Sequence, residues 1–159
     1  MKIPYREYLR RLPGSEDFQL ILRPIVSVRI FGATLNARWD ALVDTGADET
    51  LLPMSLAEVL GIPLDQEHTS RAVGISGDEL TIYYGDVEFR IDVESEVVTW
   101  KTSVGFVEFG SSADEVIVLG HGGCLDYFTA VFDGERAELE LVPNSYLPTS
   151  AMKPEKQSP

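Results

Sequence analysis

Along residues 25–31, Val26, Val28 and Ile30 fall on one side of an alternating pattern, with Ile25, Ser27, Arg29 and Phe31 on the other. A period of two with one wholly apolar side predicts a strand whose Val26/Val28/Ile30 face meets a core. Residues 18–23 extend the same run backward across Pro24, which hinges two extended stretches. A further strand is predicted over 35–43. After Pro53, Ser55 stands three residues before Glu58 and Gly61 follows. That spacing predicts a short helix over 55–60 with a reciprocal cap at its start and a left-handed glycine at its end. Glycines at 74 and 77 separate two more extended runs and predict a hairpin. Strands are expected over 86–93, 96–101 and 102–109, then a loop at 111–114 and the apolar run Val116–Leu119. A second short helix is expected over 122–128. Asp133-Gly134 predicts a hairpin turn, with Ala137, Leu139 and Leu141 alternating against charged neighbours. The pattern is all-β with one or two short helices. It divides into an N-terminal arm (1–17), one domain (18–147) and a proline- and serine-rich tail (148–159) expected to be disordered.

Charge and cysteine usage narrow the function classes. The 159 residues carry a formal charge of −13 with a pI near 4.4, which repels phosphate backbones and argues against nucleic acid as a partner. No apolar run approaches the ~20 residues of a membrane span, so no membrane partner is expected. The first 18 residues lack the apolar core of a secretion signal. The single Cys124 excludes an intrachain disulfide and fits a reducing compartment, so a cytoplasmic location is the expectation. Cys124 reads as a buried structural thiol, and Trp39, Trp100, Tyr83 and Tyr84 as strand packing. His121 and Cys124 are too few for a metal site, and Gly120–Cys124 lacks the third glycine of a dinucleotide-binding turn. No metal or organic cofactor is expected.

The stretch Ala-Leu-Val-Asp-Thr-Gly-Ala-Asp-Glu-Thr-Leu-Leu-Pro, residues 41–53, poses a physical problem. A carboxylate at the buried end of a strand is costly unless hydrogen bonds support it. Asp44 is therefore either an ordinary turn residue or a group held for chemistry. Hydrolysis by carboxylates needs two of them sharing a proton, one activating water and the other polarising the carbonyl. The chain holds one Asp-Thr-Gly and no Asp-Ser-Gly. A catalytic Asp44 would need its mate from another copy of the chain, which a two-fold dimer supplies on its axis.

Residues 41–53 resemble the active-site loop of retropepsin-like aspartic proteases, the family of the retroviral proteases. The order of parts agrees: an Arg-Pro-Ile-Val-Ser-Val-Arg-Ile strand (23–30), the loop, a glycine-bearing flap-like segment (72–77) and the apolar-Gly segment 116–120, together covering roughly residues 18 to 142. The paired-carboxylate chemistry above is that of this family. The resemblance implies a retropepsin-like acid-protease barrel acting as a homodimer on peptide or protein substrates, as an aspartic endopeptidase. It implies Asp44 as catalytic, Thr45 as an inter-subunit hydrogen-bonding grip and Gly46 as the turn whose amide approaches the carboxylate. Ala47 and Asp48 would line the cleft, and Val73, Gly74, Ile75, Ser76 and Gly77 would form the flap. Many relatives carry an arginine after the apolar-Gly segment as a brace on the loop acid. Here that position is His121, which would pair with Asp48 only when protonated. Two other readings are a non-catalytic peptide-binding module on the same fold and a protease that processes its own ends.

Overall fold

The computed structural model describes residues 1–73, 79–108 and 117–148. The predicted alternation is realised: β4 (Ile25–Phe31) buries Val26, Val28 and Ile30 and leaves the intervening residues half-buried. β4 pairs antiparallel with β5 (Asn36–Val43). β5 pairs in parallel with β10 (Ile117–Leu119), which lies antiparallel to β6 (Leu51–Pro53). β6 runs parallel to β9 (Glu96–Val107), and β9 is antiparallel to β8 (Glu79–Val93). β8 then returns to β4 through Arg29–Phe31, so the seven-stranded sheet closes on itself as a barrel. β7 (Asp65–Val73) flanks β8 on the outside of that ring.

Closure buries a core of branched and aromatic side chains. Trp100 is its centre, tilted against Phe89 at 5.2 Å and edge-on to Phe128 at 5.3 Å. Such pairs contribute beyond their burial. The indole nitrogen donates to the Gly123 carbonyl at 2.9 Å, so the polar edge of a fully buried tryptophan is satisfied and the loop after β10 is tied to the core.

A second sheet, β1 (Lys2–Pro4), β12 (Glu138–Pro143) and β11 (Phe128–Asp133) in that order with β12 central, covers one end of this core. Met1, Ile3, Leu139 and Leu141 are buried there, and the amino terminus donates to the Leu141 carbonyl at 2.9 Å with Glu96 3.3 Å away. The expected arm over 1–17 thus carries structure. Its first residues form β1, and β2 (Arg6–Arg11) pairs with β3 (Phe18–Arg23) as a separate two-stranded hairpin. The tail expected to be disordered lies, from residue 149 onward, outside the described residues.

Local expectations hold unevenly. The helix α1 spans Met54–Leu60 and ends on Gly61 at φ 65°. Gly61 donates to the Glu58 carbonyl and Ile62 to that of Ala57, as a left-handed cap requires. The N-cap expected at Ser55 is displaced. Pro53, in extended geometry, is the N-cap and makes no side-chain cap bond, so Ser55 already sits inside the first turn. The strands expected as 96–101 and 102–109 are one continuous β9, because its length is needed to cross from the β1 end of the core to β6. The second helix is only a single 3-10 turn, Leu125–Tyr127.

The β8–β9 hairpin turns through Glu94 and Ser95, between the paired Val93 and Glu96, and Glu94 adopts φ 51°. A side chain strains that left-handed conformation, whereas glycine does not. Glu94→Gly is expected to stabilise the protein by ~1 kcal/mol, read as a raised midpoint in urea at unchanged m-value.

Candidate active site

The Asp-Thr-Gly loop leaves the barrel at the end of β5. β10 wedges between β5 and β6, so Leu119 lies beside Val43, and the Asp44 amide donates to the Leu119 carbonyl at 3.1 Å. The apolar-Gly segment thus packs against the start of the loop. Asp44 is half-buried, and the Gly46 amide donates to its Oδ1 at 2.8 Å. A charge-assisted bond of this kind fixes the carboxylate orientation. Gly46 therefore does what its type suggests: it turns the chain and aims its amide at the acid. Ala47 is half-buried, while Thr45 and Asp48 are exposed.

The loop is clamped from behind by residues 120–122. The His121 amide donates to the Ala47 carbonyl at 2.9 Å, Gly122 to Asp48 at 2.8 Å, and Thr50 to Gly122 at 2.8 Å. Thr50 is fully buried. Its hydroxyl accepts from the Gly120 amide at 3.2 Å, and its carbonyl accepts from Gly105 at 3.0 Å. Sequence reading passed over Thr50 because nothing in a lone threonine between Glu49 and Leu51 marks a polar side chain that is wholly inside.

His121 does not brace Asp48. Its Nε2 lies 3.2 Å from the Thr45 carbonyl and its Nδ1 3.6 Å from Asp126, so the ring reaches the loop through backbone, beside the residue that follows Asp44. The reason is geometric: the Gly122–Asp48 bond holds these two backbones side by side and the imidazole turns toward Thr45.

A second network, also missed, joins the loop to β7 and β8. The Tyr84 hydroxyl lies 2.8 and 3.1 Å from the two carboxylate oxygens of Glu49 and 2.8 Å from the Ser70 hydroxyl. Burial pushes the Tyr84 phenol up from its ordinary value, with Ser70 working against that rise and Glu49 adding to it. Tyr84 is thus kept as a donor to Glu49, and it ties β8 to the loop. Beside it opens a pocket lined by Glu49, Thr50, Tyr84, Gly105 and Gly122.

Of the residues expected to form a flap, Gly74, Ile75, Ser76 and Gly77 lie outside the described residues. The strands leading to them pair as far as Val73 and Glu79. Cys124 is buried, and burial pushes its thiol up to about 12, so at neutral pH it is a packed thiol and not a nucleophile. Among the described residues, no three His, Cys, Asp or Glu side chains are grouped to hold a metal ion, and no helix is long and apolar enough to cross a membrane.

A family model described as aspartyl protease matches residues 26–120, the span from β4 into the loop clamp. Among solved structures, the chain is similar to EIAV protease complexed with the inhibitor HBY-793, at 20% identity and a TM-score of 0.44, over 70% of this chain and 88% of that one. No curated protein matches it. With the model covering more than half of the chain, and with the loop, its turn glycine and the apolar-Gly segment assembled in space, the chain belongs to the aspartyl protease family.

Proposed function

We propose that the chain is an aspartic endopeptidase that works as a two-fold homodimer, each protomer supplying Asp44 to one dyad. The observation that carries this reading is the Asp44 carboxylate itself. It is oriented by the Gly46 amide at 2.8 Å on a loop pinned by residues 120–122, in a sequence with one Asp-Thr-Gly.

Two carboxylates meeting on the axis retain one proton between them, because like charges a few ångströms apart are not both ionised. The ionised member takes a proton from the attacking water. The protonated member donates to the carbonyl oxygen and stabilises the tetrahedral intermediate. Thr45, exposed next to Asp44, would bond across the axis to its own mate. Ala47 and Asp48 would line the cleft, and an extended peptide would add as a strand between the loops and the segment Val73–Gly77. Activity falls as rising pH removes the shared proton.

A dyad built from two chains makes rate depend on assembly. In a peptide library held at fixed concentration, the cleavage rate per chain is expected to rise with protein concentration and then level off as dimers saturate, with products identified by mass spectrometry. A rate per chain independent of concentration in a protein that sediments as a monomer overturns the reading, as does the absence of cleavage at every concentration and pH.

A further inference from the structure

The β2–β3 hairpin carries an apolar face that the described residues leave uncovered. In the register Glu7↔Leu22, Leu9↔Leu20 and Arg11↔Phe18, the directly opposed residues share one face. Leu9 is 63% exposed, Leu20 54%, Leu22 48% and Phe18 64%. Among the described residues, six of the thirteen exposed large hydrophobic side chains lie within residues 6–23, so the patch is concentrated in one element. A lone two-stranded ribbon is marginal in water. Among the described residues a single ion pair, Arg6 to Asp40 at 2.7 Å, ties its side chains to the barrel.

We propose that this face docks on a second copy of the same chain, the copy that brings the second Asp44; the inference rests on the dimeric dyad proposed above. Continuity argues for that occupant. β3 runs through Pro24 directly into β4, and the Pro24 carbonyl accepts from the Val43 amide at 3.0 Å. The hairpin root therefore sits one residue from Asp44, and a chain presenting its own Asp44 to this one lies against that neighbourhood.

Charge argues the same way. Residues 6–23 hold four arginines and three acids, a net charge of +1, so the remainder of the chain carries −14 of a total of −13. The apolar face itself carries Glu7 and Arg11, with Arg11 paired to Glu16, while Arg10 and Arg23 stand on the opposite face. Two strongly negative chains repel least where they meet through such a near-neutral apolar face.

Cysteine protection tests the contact. Cys124 is buried and silent, so Leu20→Cys gives one reactive thiol on the hairpin. Val97→Cys gives another at the far end of the β8–β9 hairpin. Maleimide labelling is followed below and above the dimer midpoint measured by sedimentation. Leu20→Cys is expected to label about tenfold more slowly above the midpoint, in step with the dimer fraction, while Val97→Cys labels at one rate throughout. The double variant Leu20→Glu/Leu22→Glu, with its fold checked by circular dichroism, is expected to raise the midpoint at least about tenfold and to lose activity in parallel, recovering it at high concentration.

A dimer in which Leu20→Cys labels at the same rate above and below the midpoint overturns the hairpin contact and leaves the dyad standing. An active monomer at every concentration overturns both.

Discussion

Replacing Asp44 by asparagine is expected to lower peptide-bond hydrolysis at least ~10³-fold, since general acid–base catalysis by the pair is worth that order and the amide can neither take the proton from water nor return it. The substitution is nearly isosteric. Its side-chain oxygen can still accept from the Gly46 amide at the position where Oδ1 now does, so the fold and the sedimentation behaviour of the wild type are expected to persist. Mixing sharpens the result. Asp44→Asn chains added in excess to a fixed amount of wild type would draw wild-type chains into dimers with one carboxylate, and activity would fall as the variant is titrated in. A monomeric catalyst would be indifferent to the added variant. An Asp44→Asn protein that cleaves the library at the wild-type rate sinks the mechanism.

The features readable in advance were those enforced by burial. Val26, Val28 and Ile30 alternate because the barrel interior demands it, and the apolar run before Gly120 is visible because Ile117 and Leu119 are fully inside. The Asp-Thr-Gly loop was legible for a different reason: an acid, a hydroxyl and a glycine in succession stand out between apolar runs on either side. What failed to show did so for several separate reasons. β2 is exposed along its whole length, so Arg6–Arg11 has no period from which a strand could be read. β9 was divided at Lys101 because the sequence around it carries no punctuation either way. The His121 contact depended on ring orientation, and Thr50 on a tertiary position, neither of which composition encodes. Ser55 misled through a local rule that a preceding proline pre-empted: Pro53 occupies the N-cap, and the helix begins one residue before the serine.

The clamp behind the loop yields the other large effect. A Cβ built on Gly120 would stand 2.3 Å from the Glu49 carbonyl oxygen, 2.6 Å from its carbon and 2.7 Å from the Ala47 carbonyl oxygen. All three are backbone atoms, so no rotamer relieves the clash and the two segments must part. Parting them strains or breaks the bonds from His121 to Ala47, Gly122 to Asp48, Thr50 to Gly122 and Gly120 to Thr50. At ~1 kcal/mol for each such bond, Gly120→Ala is expected to cost about 4 kcal/mol, seen as a lowered urea midpoint. Activity should fall further than stability at temperatures where the chain remains folded, because the displaced segment carries Asp44, and a shift of an ångström in a catalytic group costs about 10²-fold. Neighbouring glycines grade the effect. Gly122→Ala meets the Asp48 carbonyl oxygen at 3.3 Å and should be milder, and Gly134→Ala, with nothing within 4 Å, should be silent. Wild-type stability and rate in Gly120→Ala would mean that the loop is positioned by something other than the backbone of residues 120–122.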